Sequence, residues 1–425
     1  MYNAVSLVGM FVLMAVAWLL STNRRRVNFR AVLWGAGIQL ALGAVVFCAP
    51  GATRAFLWLN DAILKLLEAA TAGQKFVFGP LAHAPGEQGS VGFILATQAL
   101  PIIVFFAALM GLLYYVKVMP VVIRSFAWTF TRLMRISGAE SLCVASNIFV
   151  GIESATTIRP YLARMTRSEF CTILTAGMAT VASSTMGLYV LFLKDTFATI
   201  AGHLISASIM SAPAAIVMSK LLVPEDGHPV TLGRLAEAVY ERESSAVESV
   251  INGAMAGVRL VVGVVALLIA FLGLMALVDV FLGWVSAWFS GALSLKTLLG
   301  WLMAPFAAVI GIPWSDATLA GSLLGERLIA TEVPAYQRLA EILQSGGFAD
   351  LRTPVITAYT LCGFAHVGSL AIFVGGIAAL VPERRADLAN VGPRALLAAT
   401  LACLMTGAVA GTFYHGAAGV LQAWP

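Results

Sequence analysis

Two acidic residues lie in stretches that are otherwise too apolar to be surface loops. Glu153 follows a run of apolar and small residues, and Glu332 sits among alanine, valine and tyrosine. A carboxylate at the centre of a bilayer costs about 2.5–3.5 kcal/mol on insertion scales, so an acid that persists there usually binds something. The pattern favours two carboxylates that face a polar cavity. The alternative is a structural acid paired with a helix end or with an arginine such as Arg159 or Arg327.

His366 is a third candidate, because it falls in the middle of an apolar stretch. A neutral imidazole there can hydrogen-bond a sugar hydroxyl or relay a proton, since its ordinary pKa is about 6.5. The nearby Phe364 can stack against a ring or simply pack. The alternative for His366 is a buried histidine whose hydrogen bonds are satisfied by the protein. Both residues remain candidates for contact with a substrate.

Oxygen-bearing residues near two interruptions in the apolar pattern indicate a cation site. Asn147, Thr180 and Ser184 lie close to these interruptions, as do the carbonyls of Val150 and Val181. A broken helix leaves carbonyl groups without partners, and carbonyl and hydroxyl oxygens together bind hard cations. The alternative is that the hydroxyls only bond to the preceding helical turn. From these residues alone, a sodium site and local bonding of the hydroxyls both stay open.

The composition requires a membrane around these residues. The chain has 425 residues, of which 60% are hydrophobic and 11% charged, against roughly 25% charged residues in soluble domains. Soluble and disordered proteins are therefore excluded. A net charge of +5 is too weak for nucleic-acid binding. The five cysteines have no C-x-x-C spacing, and we expect small buried hydrophobes rather than disulfides or zinc ligands.

Several stretches are long enough to cross a membrane, which takes about 20 apolar residues. The first is predicted to be a retained anchor and not a signal peptide, because its arginines follow the apolar run. The chain shows no motif for nucleotide hydrolysis or other enzyme chemistry. We expect eight transmembrane helices, at about 4–22, 31–49, 91–116, 168–194, 202–221, 250–286, 352–381 and 394–421.

Other stretches are apolar but interrupted or mixed. Segments 139–164 and 291–340 each contain a glycine or proline bend and a carboxylate, which predicts re-entrant hairpins packed inside the protein. Segments 51–72 and 119–136 mix apolar and charged residues, which is typical of helices at the membrane interface. The polar segment 222–249 predicts a cytoplasmic loop with a short amphipathic helix.

The lysines and arginines indicate the orientation. If the amino terminus lies outside and the spans alternate, the inside loops hold most of the 26 lysines and arginines. Both termini would then be periplasmic in a bacterial cytoplasmic membrane. The first hairpin would open to the cytoplasm and the second outward, which indicates two inverted units.

A short internal repeat supports two inverted units. Ala176–Ser183 reads AGMATVAS, and Cys362–Ser369 reads CGFAHVGS. Each copy lies in a predicted span, follows an acidic hairpin and precedes one more span. Inverted repeats with broken helices mark secondary transporters whose substrate site lies near the membrane midplane. The small residues could instead serve only helix packing, but matched positions in two copies favour the transporter.

The residues resemble the concentrative nucleoside transporter family. The resemblance covers most of the chain and is strongest from about residue 138. It is carried by Glu140-Ser141, Asn147–Gly151, Glu153-Ser154, Arg159–Glu169, Gly311–Trp314, Glu332 with Tyr336, Leu361–Ala365, Gly375–Ile377 and Val381–Leu388.

The resemblance implies a homotrimer that moves its substrate by an elevator mechanism, with sodium or protons as the coupling ion. Residues 1–137 and the helix at 250–286 would form a scaffold. The transport domain would contain the hairpin repeats 138–221 and 287–425, and 222–249 would connect the two units. No organic cofactor and no nucleic-acid partner are expected, and the chain is predicted to be no enzyme.

The same resemblance assigns roles to individual residues. Gly151, Ile152 and Glu153 would lie on the side of the nucleobase. The ribose would meet Glu332, Phe364, His366 and Ser369. Sodium would be held by oxygens of Asn147, Val150, Thr180 and Val181.

Two departures from the family pattern bear on the substrate. The family usually reads G-Q-T/S-E at the first hairpin, whereas Gly151-Ile152-Glu153 is one residue shorter and lacks the glutamine and the hydroxyl. An apolar isoleucine cannot hydrogen-bond a base edge, and loss of such contacts changes selectivity strongly. His366 stands where the family usually has asparagine; a neutral imidazole also offers one donor and one acceptor, at other positions.

The sequence thus predicts an all-α polytopic membrane protein that imports nucleosides or nucleoside-like compounds with a coupling cation. A transporter of a non-nucleoside sugar derivative and a gated channel or receptor-like protein remain alternatives.

Overall fold

The computed structural model describes residues 1–49, 51–84, 86–197, 199–239, 243–286 and 294–416. These residues form α-helices and short 3-10 helices, and their only β-type pairing is one bridge between Ser137 and Leu232. The prediction of an all-α polytopic protein is confirmed. Parts of the predicted segments lie outside the described residues: 50 and 85 of 1–137, 198 of the first repeat, 240–242 of the polar loop, and 287–293 and 417–425 of the second repeat, including the end of the last span.

In the described part of the chain before residue 137, six α-helices precede the first repeat. The first two are long helices near the amino terminus, and the fifth is followed almost directly by the sixth. They are α1 (Tyr2–Leu19), α2 (Phe29–Cys48), α3 (Ala52–Phe78), α4 (Leu95–Gln98), α5 (Ile102–Tyr115) and α6 (Val118–Met134). Helices α3 and α6 cover the two segments that were predicted to lie at the membrane interface, and that location stays a prediction.

The first repeat contains a hairpin, a broken span and an unbroken span. Its helices are α7 (Gly138–Asn147), α8 (Arg159–Leu162), α9 (Arg167–Ala179), α10 (Ser183–Leu193) and α11 (Ile200–Leu222), with a 3-10 helix at Ile152–Ile158. Helices α7 and α9 both begin with capping boxes, Ser137 with Glu140 and Thr166 with Glu169, in which side chains satisfy the free backbone groups of the first turn.

In the second half the same order follows two further helices, of which the one at Leu295–Val309 lies inside the predicted repeat 287–425. The whole half consists of α12 (Ala246–Ser286), α13 (Leu295–Val309), α14 (Trp314–Ile329), α15 (Glu332–Gln344), α16 (Arg352–Leu361), α17 (Val367–Leu380) and α18 (Arg385–Phe413). Helices α14 and α15 are the arms of the second hairpin. The order hairpin, broken span, span therefore recurs, as the sequence predicted.

Seven of the eight predicted spans have a counterpart among the described residues, and the predicted span at 352–381 does not. Among the described residues, seven helices are long and apolar enough to cross a membrane, and the bent pair α13 and α14, with an angle of 120° between them, would make eight. The predicted span at 352–381 is split into α16 and α17. The predicted hairpin at 291–340 holds three helices, because Gly311, with φ of +93°, and Pro313 end α13 before the hairpin begins.

The polar loop differs from its prediction. Residues 223–239 and 243–245 contain no helix, because the backbone pairs instead with the base of the first hairpin. Gly138 N donates to Thr231 O at 3.0 Å, and Val239 N donates to Thr157 O at 2.9 Å. A Cβ atom on Gly138 would lie 1.9 Å from the carbonyl oxygen of Arg234, so this close approach requires glycine.

The packing of the long helices separates two groups. Helices α1 and α2 pack against α11 and α18, whereas α12 packs along α5. The predicted scaffold instead groups α1 and α2 with α12. The division into a scaffold and a transport domain stays a prediction. Four cysteines are buried as predicted, but Cys48 at the end of α2 is exposed.

Candidate functional site

The interruptions of the two broken spans lie against each other inside the protein. Between α9 and α10 the chain is extended at Thr180, and between α16 and α17 Gly363 adopts a φ of +151°, which favours glycine. A Cβ atom on Gly363 would lie 2.6 Å from the carbonyl oxygen of Ala179. Polar backbone from both repeats therefore meets at one buried position.

Glu332 is the first residue of α15 and only 3% exposed. Its Oε1 accepts a hydrogen bond of 2.6 Å from the hydroxyl of Tyr189. Its Oε2 has no hydrogen-bond partner among the described residues and lies 3.5 Å from Nε2 of His366. The helix amino terminus favours the negative charge, and one carboxylate oxygen remains available to a ligand.

His366 is the N-cap residue of α17 and only 4% exposed. Its Nδ1 accepts a hydrogen bond of 3.2 Å from the backbone N–H of Ser369. A neutral imidazole that accepts at Nδ1 carries its proton on Nε2, the nitrogen that faces Glu332. The Ser369 hydroxyl in turn accepts from His366 N at 3.3 Å and donates to the carbonyls of Phe364 and His366. The predicted sugar-side residues Glu332, Phe364, His366 and Ser369 are thus brought together.

Tyr189 is a site residue that the sequence analysis missed. It lies on α10, in the first repeat, and its ring stacks on Tyr336 with centroids 4.5 Å apart. The Tyr336 hydroxyl donates to the carbonyl of Ala358 at 2.8 Å, near the end of α16. The stack therefore joins the first broken span to the second hairpin. A buried aromatic hydroxyl needs a partner, which is the only signal in the sequence that could have indicated this role.

Arg327 forms no ion pair with Glu332 in the described part of the chain. Its side chain is fully buried on α14, and its Nη1 donates to the carbonyl of Thr360 at 2.6 Å. It thereby caps the carboxyl end of α16, where a positive charge is favourable. Among the described residues, no carboxylate forms an ion pair with Arg327. The alternative of a structural Glu332–Arg327 pair thus finds no support.

The tip of the first hairpin lies at a different position. Glu153 is exposed, and no ion pair joins it to Arg159 in the described part of the chain. The side chain of Ile152 reaches Gly376 on α17, where a Cβ atom would lie 2.7 Å from Ile152 Cγ1. Gly151 permits the Glu153 carboxylate to fold back over it, 3.4 Å from where a Cβ would stand. This tip contacts α17 away from the group formed by Glu332 and His366.

Three of the four predicted cation ligands, Asn147, Thr180 and Val181, lie between the first hairpin tip and the first break, and Thr180 Oγ1 also lies 2.8 Å from Ala176 O in the preceding turn, as the alternative expected. Thr180 Oγ1 donates to Asn147 O at 2.7 Å, and Asn147 Oδ1 accepts from Ser154 at 3.0 Å. Ser208 donates to the carbonyls of Ile148, at 2.9 Å, and Val181, at 3.3 Å. Uncharged oxygens dominate this cluster, which suits a hard monovalent cation. Ser184 lies directly after the break, in the first turn of α10.

Comparisons with known proteins identify the family. Residues 8–81 and 203–411 match the amino-terminal and carboxyl-terminal models of the Na+ dependent nucleoside transporters, and residues 96–196 match a nucleoside recognition domain. An uncharacterized transporter of Haemophilus influenzae is 37% identical over 413 residues, with 96% of this chain and 97% of the relative covered. The chain belongs to the concentrative nucleoside transporter family.

Further members agree over nearly the full length. The nucleoside permease NupC of Helicobacter pylori is 36% identical, covering 96% of this chain and 97% of the permease. The structure of CNTnw in an inward-facing substrate-bound state superposes with a TM-score of 0.87 at 36% identity, covering 97% of this chain and 98% of that one. The predicted family is therefore confirmed. The family is one of transporters and not of enzymes, which also confirms the prediction that the chain is no enzyme.

Proposed function

We propose that this protein imports nucleosides or nucleoside-like compounds by secondary active transport, coupled to sodium or protons, across a bacterial cytoplasmic membrane. The observation that carries the proposal is the buried Glu332 with one unpartnered oxygen, Oε2, 3.5 Å from Nε2 of His366. An uncompensated buried carboxylate oxygen is costly, and a sugar hydroxyl that donates to it removes that cost. The names of the relatives and of the matching family models support nucleosides as the substrate class.

The substrate would lie where the two repeats meet. Its sugar would contact Glu332 and His366, and its base would extend toward Ile152 and Glu153 at the first hairpin tip. Because the Ile152 side chain is apolar and packs on Gly376, the base side offers little hydrogen bonding from this residue. That observation favours, as a second candidate, a sugar derivative without a standard base.

Sodium would bind between the hairpin tip and the first break, held by oxygens of Asn147, Val150, Thr180 and Val181. The cation would order the backbone that connects these two elements and so raise the affinity for substrate. Linkage makes the effect reciprocal, so bound substrate must raise the affinity for the cation by the same factor. If protons are the coupling ion, Glu153 and His366 are the candidate carriers.

The hairpin repeats 138–221 and 287–425 would move as one transport domain against a scaffold that includes α12, in a homotrimer. The breaks of the two broken spans contact each other through Gly363 and Ala179. A rigid body of this kind carries its substrate site intact, as an elevator mechanism requires.

Counterflow in proteoliposomes tests the proposal. Vesicles loaded with unlabelled uridine should accumulate labelled uridine transiently, since only a carrier accelerates exchange. An imposed sodium gradient should increase uptake, whereas a proton gradient alone should not if sodium is the coupling ion. Absence of counterflow with any nucleoside, while a sugar derivative gives it, would establish the second candidate.

The coupling ion is tested by Thr180→Val. We expect the sodium concentration for half-maximal uptake to rise about 10-fold, because the variant loses an oxygen ligand. Thr172→Val, on α9 before the break, is the control, since the Thr172 hydroxyl bonds to Ser168 and Ser219 away from the break. An equal change in both variants would contradict the assignment of Thr180.

A further inference from the structure

Helix α6 has an exposed face on which every charged residue is basic. Arg124, Trp128 and Arg132 follow each other at intervals of four residues, which places them on one side of the helix. All three are exposed, as is Arg135 directly after the helix. The opposite side of α6 is buried and packs against α7, α2 and α5. Arg124, Trp128, Arg132 and Arg135 therefore form a basic face that points away from the protein.

The charge of the basic face is not neutralised by the chain itself. Residues 88–139 contain no aspartate or glutamate, and no arginine of the face forms an ion pair in the described part of the chain. Helix α3, the other helix predicted at the membrane interface, differs because it carries Asp61 and Glu68 beside Arg54 and Lys65. The positive charge of α6 is thus available to an anion from outside the chain.

The turns at both ends of α6 hold a basic residue where glycine is usual. Lys117 before the helix has a φ of +63°, and Arg135 after it has a φ of +50°. They are the non-glycine residues with a positive φ in the described part of the chain, and both are exposed. This conformation is unfavourable for a residue with a Cβ atom. A side chain that is retained there contributes in another way, and the two residues share a positive charge.

Arg30, at the start of α2, connects the basic face to an apolar surface. Its Nε donates to the carbonyl of Leu133 in the last turn of α6 at 3.2 Å, which offsets the negative end of that helix dipole. Phe29 and Leu33, one turn apart on α2, are 60% and 68% exposed. Arginines beside exposed apolar side chains fit the boundary between lipid head groups and acyl chains.

We propose that the basic face and Arg30 bind the phosphate groups of anionic phospholipids, with the acyl chains against Phe29 and Leu33. Arginine binds phosphate through paired hydrogen bonds, and an anionic membrane surface attracts basic residues. Tryptophan, here Trp128, is enriched at the same depth of the bilayer. A second copy of the chain is a poor occupant, because it would bring like charges together. This lipid site is independent of the transported substrate.

Quenching of Trp128 fluorescence by brominated lipids tests the proposal in vesicles that mix phosphatidylcholine with phosphatidylglycerol. The signal of Trp128 is obtained as the difference between the wild type and Trp128→Phe. We expect phosphatidylglycerol to bind about 10-fold more tightly than phosphatidylcholine in the wild type, and no more than about 2-fold more tightly in Arg132→Gln/Arg135→Gln. No quenching of Trp128 by either lipid, or equal affinity of the two lipids in the wild type, would overturn the proposal.

The control is Arg54→Gln/Lys65→Gln, which removes the same amount of charge from exposed positions of α3. It should keep the wild-type preference for phosphatidylglycerol. An equal loss of preference in both double variants would contradict a site on α6, because it would show that only the total charge of the protein matters.

Arg135→Gly separates loss of the site from loss of the fold. It removes the charge but relieves the left-handed backbone, so the midpoint of thermal unfolding should be no lower than in the wild type. The preference for phosphatidylglycerol should fall about 3-fold, whereas Arg135→Lys should keep it within about 2-fold. A full preference in Arg135→Gly, or displacement of the lipid by an excess of soluble glycerol phosphate, would contradict the proposal.

Discussion

Glu140 and Glu332 are both buried carboxylates on the hairpins, but their surroundings differ. Glu140, at the base of the first hairpin and 1% exposed, accepts from Ser137 N at 3.0 Å and pairs with Lys220 Nζ at 2.8 Å. Glu332 has a tyrosine hydroxyl and a histidine at 3.5 Å. The cation beside Glu140 neutralises a carboxylate that would be costly to bury alone, so this pair has a structural role. A buried charge with an incomplete shell is where binding energy can be gained.

The most severe test of this contrast is Glu332→Gln. We expect uptake to fall more than about 100-fold with the amount of protein in the membrane unchanged, because the charged acceptor for the substrate is removed while the side chain keeps its shape. Labelled-uridine uptake normalised to membrane protein measures it. Glu341→Gln, on the same helix α15 but exposed, is the control and should be silent. Uptake near the wild-type rate would remove Glu332 from the site.

Lys220→Met examines the other side of the contrast. It leaves Glu140 buried without its partner, which costs about 3–5 kcal/mol, and should lower the midpoint of thermal unfolding in detergent. Adding Glu140→Gln should restore part of the loss. Lys194→Met breaks only the exposed pair with Asp195 and should cost less than about 1 kcal/mol. A Lys220 variant of normal stability but without uptake would place Lys220 in the transport pathway instead.

Tyr189→Phe sharpens the account of Glu332. The stacked ring is kept but the hydroxyl that holds Oε1 is lost, so we expect KM for the nucleoside to rise about 10-fold with a smaller change in Vmax. Tyr336→Phe keeps the same stack and loses only the bond to the Ala358 carbonyl, so its KM should stay within about 3-fold. Equal effects of the two substitutions would mean that the stack matters and the Glu332 bond does not.

The smallest effect is expected for Glu153→Gln. This carboxylate is exposed at the first hairpin tip, so its loss should change uptake by no more than about 5-fold. The change should appear in the preference among bases, measured by competition between uridine, cytidine and adenosine. A loss as large as that of Glu332→Gln would show that the two tip carboxylates are equivalent after all.

Local signals in the sequence predicted much of this structure. Runs of apolar residues indicated the spans, and the matched motifs at 176–183 and 362–369 located both breaks. A lone carboxylate in an apolar stretch indicated Glu332. Each of these depends on residues close together in the chain, where composition and spacing carry the information.

The remaining features depend on contacts between distant residues. Tyr189 and Glu332 are 143 positions apart, and nothing near either residue indicates the other. The capping box of His366 with Ser369 was missed because histidine is not among the usual N-cap residues. The polar loop was wrongly expected to contain a helix. Hydrophobic periodicity cannot reveal that its backbone pairs with Gly138 at the base of the first hairpin.

The bond between Tyr189 and Glu332 also sets an order of events during biosynthesis. Translation proceeds at roughly 5–20 residues per second, so the 143 residues between the two partners take about 7–30 s to appear. Throughout that interval the first repeat can insert into the membrane, but the Tyr189 hydroxyl waits for the carboxylate on the second hairpin. The substrate-facing carboxylate and the hydroxyl that holds it therefore come together only after the second hairpin has been synthesised.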